Sequence, residues 1–243
     1  MKHSKLRRAA AALLALALVL GAGGVLLAAS EAKAAKPASL PVKAETKTGV
    51  TVYANAKASI DASNLAEGYL LVTYTGGRNV KIKVQITKEG GVTYTYNLNN
   101  QGGTETFPLT EGDGKYTVKV FENTTGTKYA QAYSCPLELK LTSEFSPFLY
   151  PNQYVNFNDN SKVVAKAAEL TKGMATDLDK VTAIYHYVIN NITYDYELAA
   201  TVASGYLPDV DKILESGKGI CFDYAAVMAS MLRSQNIPCK LVV

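Results

Sequence analysis

The sequence contains no tryptophan, two histidines and only three cysteines among its 243 residues. So few cysteines exclude a small scaffold held together by disulfides. A zinc site is excluded as well, because the chain has no C-x-x-C pair and carries only His186 beyond its first few residues. With 48% hydrophobic and 19% charged residues, the composition is that of a globular protein with one large or two small domains. We expect no metal ion and no cofactor.

Outside its first 34 residues, the chain has no excess of positive charge that would attract a polyanion such as nucleic acid. The formal net charge is +4, but five of the 25 basic residues and one of the 21 acidic residues lie in residues 1–34. The rest of the chain therefore carries 20 charges of each sign. Because nucleic-acid binding depends mainly on Lys and Arg at the phosphates, we expect no nucleic-acid partner.

The first 34 residues have the pattern of a segment that directs export. A basic stretch from Met1 to Arg8 precedes an apolar run over residues 9–29, and Ala32-Lys33-Ala34 fits a small-x-small cleavage site. We therefore predict a signal peptide over residues 1–34 and a secreted or cell-surface protein. The apolar run is also long enough to span a bilayer, so an uncleaved membrane anchor is the alternative. We expect contact with a membrane only through this segment.

A two-residue period dominates residues 48–144, which follow a predicted linker over residues 35–47. Apolar residues alternate with polar or charged residues in Val80 to Thr87 and in Tyr116 to Phe121, and Gly-rich turns separate such runs. This pattern predicts antiparallel strands with one buried face. About seven short strands favour an immunoglobulin-like β-sandwich.

After a second predicted linker, residues 145–160, the pattern becomes helical. Ser161 is placed to cap a first helix, and Thr176 with Asp179 resembles a capping box at the start of a second. The apolar residues of the second helix recur at helical spacing and predict one buried stripe. This stripe comprises Val181, Ile184, Tyr185, Val188 and Ile189.

The remaining residues predict two more helices and a strand. Asp209 is placed to cap a short helix, and Phe222 to Gln235 has a strong helical pattern. Cys239 to Val243 is apolar enough to predict a buried strand, in which Cys239 is expected to be an inert core residue. Cys135 precedes a proline near the end of the predicted sandwich, and no partner is assignable to it.

Cys221 is the candidate catalytic residue. It follows the Gly217-Lys218-Gly219 turn and opens the helical pattern. A helix N-terminus presents unpaired N–H groups and about half a positive charge, and both stabilise a thiolate. The two glycines let the backbone turn sharply and leave room for a substrate. Cys221 is therefore a candidate nucleophile, and the alternative is a half-buried structural cysteine at a helix start.

Residues 217–243, GKGICFDYAAVMASMLRSQNIPCKLVV, resemble the core of the transglutaminase-like superfamily of papain-related thiol enzymes. The shared features are a G-x-C turn that opens a long helix, an acidic and an aromatic residue soon after the cysteine, and an L-R-x-x-x-I-P exit into a strand. Upstream, Ile192-Thr193-Tyr194-Asp195 resembles the I-x-Y-D segment that ends a helix in the same superfamily. The resemblance covers residues 155–243.

The resemblance implies a papain-like α+β domain with a Cys–His–Asp triad, in which the cysteine attacks a carbonyl carbon and forms a thioester. It assigns only Cys221, because the superfamily's His and Asp follow the strand at which this sequence stops. His186 precedes the cysteine and is expected on a helix surface. We therefore expect residues 161–243 to be a C-terminally incomplete core, part of a longer enzyme, and this fragment to be inactive.

Two functions from different classes follow. The first is an exported transglutaminase-like cysteine enzyme that acts on amide bonds of proteins or cell-wall peptides. The alternative is a non-catalytic binding or structural module with a degenerate papain-like domain. A histidine and an aspartate downstream of Val243 would favour the enzyme.

Overall fold

The computed structural model describes residues 42–242. The predicted signal peptide, residues 1–34, and the last residue, Val243, lie outside this part of the chain. Among the described residues, no helix is both long and apolar enough to cross a membrane.

The first half of the described chain forms two antiparallel four-stranded sheets. The strands are β1 (Val52–Ala54), β2 (Ala58–Asp61), β3 (Tyr69–Tyr74), β4 (Ile82–Lys88), β5 (Thr93–Leu98), β6 (Thr104–Pro108), β7 (Gly114–Thr125) and β8 (Lys128–Leu139). One sheet has the order β1-β2-β3-β6 and the other the order β5-β4-β7-β8. Side chains from both sheets share one hydrophobic core. The prediction of an antiparallel β-sandwich is therefore confirmed.

The predicted alternation decides which side chains enter this core. In β4, Ile82, Val84 and Ile86 are buried, whereas the residues between them are half-exposed. The inward residues of β7 follow the same period from Tyr116 to Glu122. Cys135 of β8 is buried in the same core. One face of each strand thus points inwards, as expected for a sandwich.

The inward row of β7 ends in a buried carboxylate, Glu122. Lys57 Nζ lies 2.6 Å and Arg78 Nη1 lies 3.4 Å from its Oε2, and the Tyr74 hydroxyl donates to its Oε1 at 2.6 Å. Burial alone would raise the pKa of Glu122, but the hydrogen bonds from Lys57 and Tyr74 and the two positive charges lower it below its usual range. Glu122 is therefore ionised and paired at the edge of the core.

We expect the acid stability of the sandwich to depend on Glu122. Because its pKa is lower in the folded than in the unfolded protein, this carboxylate stabilises the fold above about pH 4.5, and the contribution is lost as the pH falls through the folded pKa. Glu122→Gln should lower the free energy of unfolding by about 1 kcal/mol at pH 7 and by less at pH 3. Urea unfolding followed by circular dichroism measures both values. An equal effect of the substitution at the two pH values would contradict the assignment.

The second half of the described chain is mainly helical. Its elements are α1 (Lys162–Leu170), α2 (Asp177–Asn191), β9 (Thr193–Tyr194), α3 (Tyr196–Thr201), α4 (Val210–Ser216), β10 (Lys218–Gly219) and α5 (Cys221–Ser234). Helix α5 is central, because α1, α2 and α4 all pack against it. Its small residues Ala226, Ala229 and Ser230 are almost fully buried and let these neighbours approach closely. The predicted order of a sandwich followed by helices, and with it the α+β class, is confirmed.

The helices start where the sequence predicted, but the hydrogen bonds that cap them differ in part from those expected. The hydroxyl of Thr176 accepts the N–H of Asp179, and the carboxylate of Asp209 accepts an N–H three residues later. Ser161 does precede α1, but its hydroxyl accepts the N–H of Asn158 and caps nothing. At Thr176 the reciprocal half of the capping box is missing, because the carboxylate of Asp179 accepts the threonine hydroxyl.

The predicted buried stripe of α2 is wrong in part. Ile184 and Val188 are buried and Val181 is half-buried, but Tyr185 and Ile189 are 47% and 45% exposed. Only a narrow line of α2 therefore packs on its neighbours. Helical spacing gives the direction of an apolar face, but the width that is covered depends on the neighbouring helices.

The prediction of a buried strand from Cys239 to Val243 is also wrong. The described residues 239–242 lie outside any strand, and Val242 is 85% exposed. The N–H of Cys239 donates to the Phe148 carbonyl at 3.0 Å, and Cys239 itself is half-buried rather than a core residue. A strand requires a neighbouring strand for its N–H and C=O groups, and none of the described strands lies beside this segment.

The segments predicted as linkers contribute to the packing between the sandwich and the helices. Val155 and Phe157 from residues 145–160 are buried in the helical core, as is Val42 from residues 35–47. Tyr154 packs against the cores of both parts. The sandwich and the helices consequently pack as one compact unit.

Candidate active site

Two glycines shape the turn before α5. Gly217 ends α4 with a left-handed φ of +62°, which glycine adopts without strain. Gly219 lies against a buried side chain, because a Cβ atom placed there would be 2.6 Å from the Cβ of Asp223. The chain then enters α5 with Cys221 as its first residue, as predicted.

The two segments that resemble the superfamily lie side by side. Strands β9 and β10 pair in parallel. The N–H of Thr193 donates to the Gly217 carbonyl at 2.8 Å, and the N–H of Asp195 donates to the Gly219 carbonyl at 2.9 Å. Asp195 also caps α3 with its carboxylate. The backbone of the turn that leads to Cys221 is thus fixed by a segment from far upstream in the chain.

The first turn of α5 presents an exposed thiol beside two unpaired N–H groups. Cys221 is exposed, and the N–H groups of Cys221 and Phe222 donate to no other described residue. The next two N–H groups, of Asp223 and Tyr224, both point to the Ile220 carbonyl, at 2.9 and 3.1 Å. The positive end of a helix stabilises a thiolate, and two N–H donors stabilise an oxyanion. The arrangement suits nucleophilic attack on a carbonyl.

A buried carboxylate lies two residues after the thiol. Asp223 has no exposed surface, and its Oδ2 accepts the Ile220 N–H at 2.8 Å while its Oδ1 accepts the Tyr206 hydroxyl at 2.9 Å. Burial and the bond to Asp223 raise the pKa of Tyr206 to about 12, so its hydroxyl is a donor at neutral pH. An acidic residue soon after the cysteine is among the features shared with the superfamily, but the sequence held no signal for Tyr206, whose contact depends on the path between α3 and α4.

Aromatic rings connect the start of α5 with the sandwich. The ring of Phe222 lies 5.8 Å from that of Tyr154, edge to face, and Tyr154 lies 5.5 Å from Tyr96 of β5. The ring of Tyr206 lies 6.5 Å from Phe222. Phe222 follows Cys221 in the sequence. Its contact with Tyr154, and that of Tyr154 with Tyr96, therefore help the sandwich to hold the first turn of α5 in place.

The other candidate groups lie in different surroundings. Burial raises the pKa of Cys135 in the sandwich core and of Cys239, where the Arg233 charge offsets part of the effect. His186 is the one histidine that the structure describes, and it is exposed on α2 without a hydrogen bond to any described residue. Among residues 42–242, no three His, Cys, Asp or Glu side chains cluster as metal ligands do.

We expect Cys221 to react with limiting iodoacetamide at least about 10-fold faster than Cys135 or Cys239 at pH 7. Cys221 is exposed at a helix N-terminus, whereas Cys135 is buried and Cys239 half-buried, and burial raises the pKa of both thiols. Peptide mass mapping of the folded protein measures the distribution of the label. In urea the preference should disappear. Preferential labelling of Cys135 or Cys239 in the folded protein would show that Cys221 is not a primed nucleophile.

One family model and two solved structures are similar to parts of this chain. The model of the transglutaminase-like superfamily matches residues 164–243, which confirms the resemblance over most of the segment predicted for it. A similar solved structure is the fn3 domain of human collagen alpha-1(XX) chain, at 17% identity and a TM-score of 0.30, covering 40% of this chain and 92% of that chain. Another is the beta-1,2-glucanase from Parabacteroides distasonis, at 14% identity and a TM-score of 0.27, covering 79% of this chain and 31% of that chain. No curated protein matches the chain.

Proposed function

We propose that the transglutaminase-like domain of this chain, residues 164–243, supplies the nucleophile of a cysteine enzyme that opens amide bonds through a thioester at Cys221. The observation that supports this most strongly is the exposed thiol at the first residue of α5, next to two N–H groups that donate to no described residue. A nucleophile and oxyanion donors at one helix end are two of the groups that acyl transfer requires.

The reaction follows from these groups. The Cys221 thiolate attacks the carbonyl carbon of a carboxamide, and a C–S bond forms while the N–H groups of Cys221 and Phe222 bind the developing oxyanion. The C–N bond then breaks, and the nitrogen leaves as an amine after it takes up a proton. Water or a second amine then attacks the thioester carbon and gives up a proton, the C–S bond breaks, and a carboxylic acid or a new amide leaves as the thiolate is released. The superfamily resemblance implies an imidazole as the proton carrier, and His186 is not hydrogen-bonded to Cys221.

The proposed substrates are proteins or cell-wall peptides outside the cytoplasm. The exposed position of Cys221 supports a macromolecular substrate, because a large chain reaches a surface thiol without entering a closed cavity. The basic, apolar and small-residue order of residues 1–34 supports export. N-terminal sequencing of protein recovered outside the cells should give a start between Ser30 and Lys36. An intact Met1 in the membrane fraction would favour the anchor.

The second candidate function is a binding or structural module that lacks catalysis. Among residues 42–242, the one histidine, His186, is exposed and makes no hydrogen bond to Cys221, so the described residues alone do not pair the thiol with an imidazole. This candidate predicts that Cys221 is dispensable for the function of the protein.

The test of the proposed function is acylation by p-nitrophenyl acetate. This ester releases p-nitrophenolate without a proton from the protein, so its reaction requires only the nucleophile and the oxyanion donors. We expect one p-nitrophenolate per chain and an acetyl group on Cys221, and neither with Cys221→Ala. Cys239→Ala serves as the control and should react like the unchanged protein. If Cys221 is not acylated, the binding module is the better description.

A further inference from the structure

Asp223 is a carboxyl group without surface exposure that the reaction above does not use. Both of its carboxylate oxygens are engaged, one by the N–H of Ile220 and the other by the hydroxyl of Tyr206. No lysine or arginine of the described chain pairs with it. Burying an ionised carboxylate costs free energy unless its hydrogen bonds are complete. A buried carboxyl group at this position calls for a local reason.

The reason lies in the N–H groups at the start of α5. A carboxylate at the third helical position is within reach of several N–H groups of its own helix turn. Here the Ile220 N–H binds one oxygen and the Tyr206 hydroxyl binds the other, at 2.8 and 2.9 Å. The N–H groups of Cys221 and Phe222 donate to neither carboxylate oxygen of Asp223 nor to any other described residue. If the carboxylate turned towards them, it would occupy the donors that an oxyanion requires.

We propose that Asp223 and Tyr206 are positioning residues, which hold the turn before Cys221 in place and keep the N–H groups of Cys221 and Phe222 available for the oxyanion. The proposal rests on the proposed acyl transfer at Cys221. Neither side chain touches the substrate in this role. Tyr206 acts through Asp223, and Asp223 acts through the backbone of Ile220.

The surroundings of Tyr206 support a fixed position. Gly205, the preceding residue, has a left-handed φ of +89°, and a Cβ placed on it would lie 2.9 Å from the Asn97 Nδ2 of strand β5. The connection between α3 and α4 is thus seated closely on the sandwich. The ring of Tyr206 also lies edge to face with that of Phe222, the residue after the thiol, at 6.5 Å between ring centroids. The hydroxyl therefore reaches Asp223 from a supported loop.

The test compares two reactions of the same thiol in the full chain. Acylation by p-nitrophenyl acetate passes through an oxyanion, whereas alkylation by iodoacetamide does not. Tyr206→Phe should slow the acylation of Cys221 about 10-fold, less than the loss of a direct oxyanion donor, and should change alkylation less than about 2-fold. Asp223→Asn should shift the ratio of the two rates in the same direction. A merely structural role would change both rates by one factor or change only the melting temperature.

Tyr150→Phe is the matched control. Its hydroxyl also donates to a carboxylate, that of Glu67, at 2.8 Å, and its ring packs on Tyr69 of the sandwich. This variant should keep the ratio of the acylation and alkylation rates. If Tyr206→Phe keeps the ratio too, the positioning role is wrong while the nucleophile stands. If the unchanged protein is not acylated at Cys221, the proposed function fails first.

Discussion

Replacing Arg233 by methionine should lower the free energy of unfolding by about 3 kcal/mol, because buried carbonyl groups lose a charged donor. Methionine fills a similar volume, so the loss reports on hydrogen bonds more than on packing. Urea unfolding at pH 7, followed by circular dichroism, measures the change. A loss below about 0.5 kcal/mol would show that the guanidinium contributes no net stability.

The expected size of the effect follows from the position of Arg233. The side chain is 3% exposed at the end of α5, and Nη1 donates to the Tyr150 carbonyl at 2.6 Å. Nε and Nη2 both donate to the Cys239 carbonyl, at 3.1 and 2.8 Å. Burial lowers the pKa of Arg233 to about 10, so it is still charged at pH 7. One side chain thereby ties the central helix to the segment before α1 and to the segment after α5.

Two variants serve as controls for Arg233→Met. Arg78→Met removes a half-exposed guanidinium with one 3.4 Å contact to Glu122, and it should cost less than about 0.5 kcal/mol. Arg233→Lys keeps the charge but offers no planar fork for two carbonyl groups, so its cost should lie between the two methionine variants. An equal loss for Arg78→Met and Arg233→Met would contradict the role given to burial.

Local patterns predicted the elements that depend on local chemistry. The alternation in Val80 to Thr87 gave the inward face of β4, and Asp209 caps α4 where the sequence placed it. Cys221 opens α5 at the point where the glycine turn ends and the helical pattern of Phe222 to Gln235 begins, so two local signals indicate the same boundary. These features require no knowledge of distant contacts.

Features that depend on tertiary contacts were not predictable in the same way. Tyr185 and Ile189 follow the helical period of α2 but stay exposed, because period does not show which neighbour covers a face. Cys239 to Val243 has the composition of a strand, but its described residues, 239–242, have no neighbouring strand among those described. Tyr206 reaches Asp223 from a connection that contains no recognisable motif. In the candidate site, the sequence thus indicated the nucleophile and not the side chains that support it.

At Gly219 the fold and the candidate chemistry both depend on the absence of a Cβ atom. Its carbonyl accepts the Asp195 N–H, and a Cβ on it would lie 2.6 Å from the Cβ and 3.0 Å from the Oδ2 of Asp223. Distances below 3.0 Å between such atoms force something to move. Asp223 is fully buried and bound on both oxygens, so it has little room to yield. The turn before Cys221 would have to shift instead.

Gly219→Ala should therefore lower the free energy of unfolding by about 2 kcal/mol and slow the acylation of Cys221 by p-nitrophenyl acetate about 10-fold. Urea unfolding and the release of p-nitrophenolate measure the two effects. Gly173→Ala is the control, because this glycine has a left-handed φ of +78° with no atom near its missing Cβ. It should cost about 1 kcal/mol through backbone strain and leave acylation unchanged. If Gly219→Ala loses stability but keeps the acylation rate, a displaced turn before Cys221 does not impair acylation. The close contact between Gly219 and Asp223 would then contribute only to the stability of the fold.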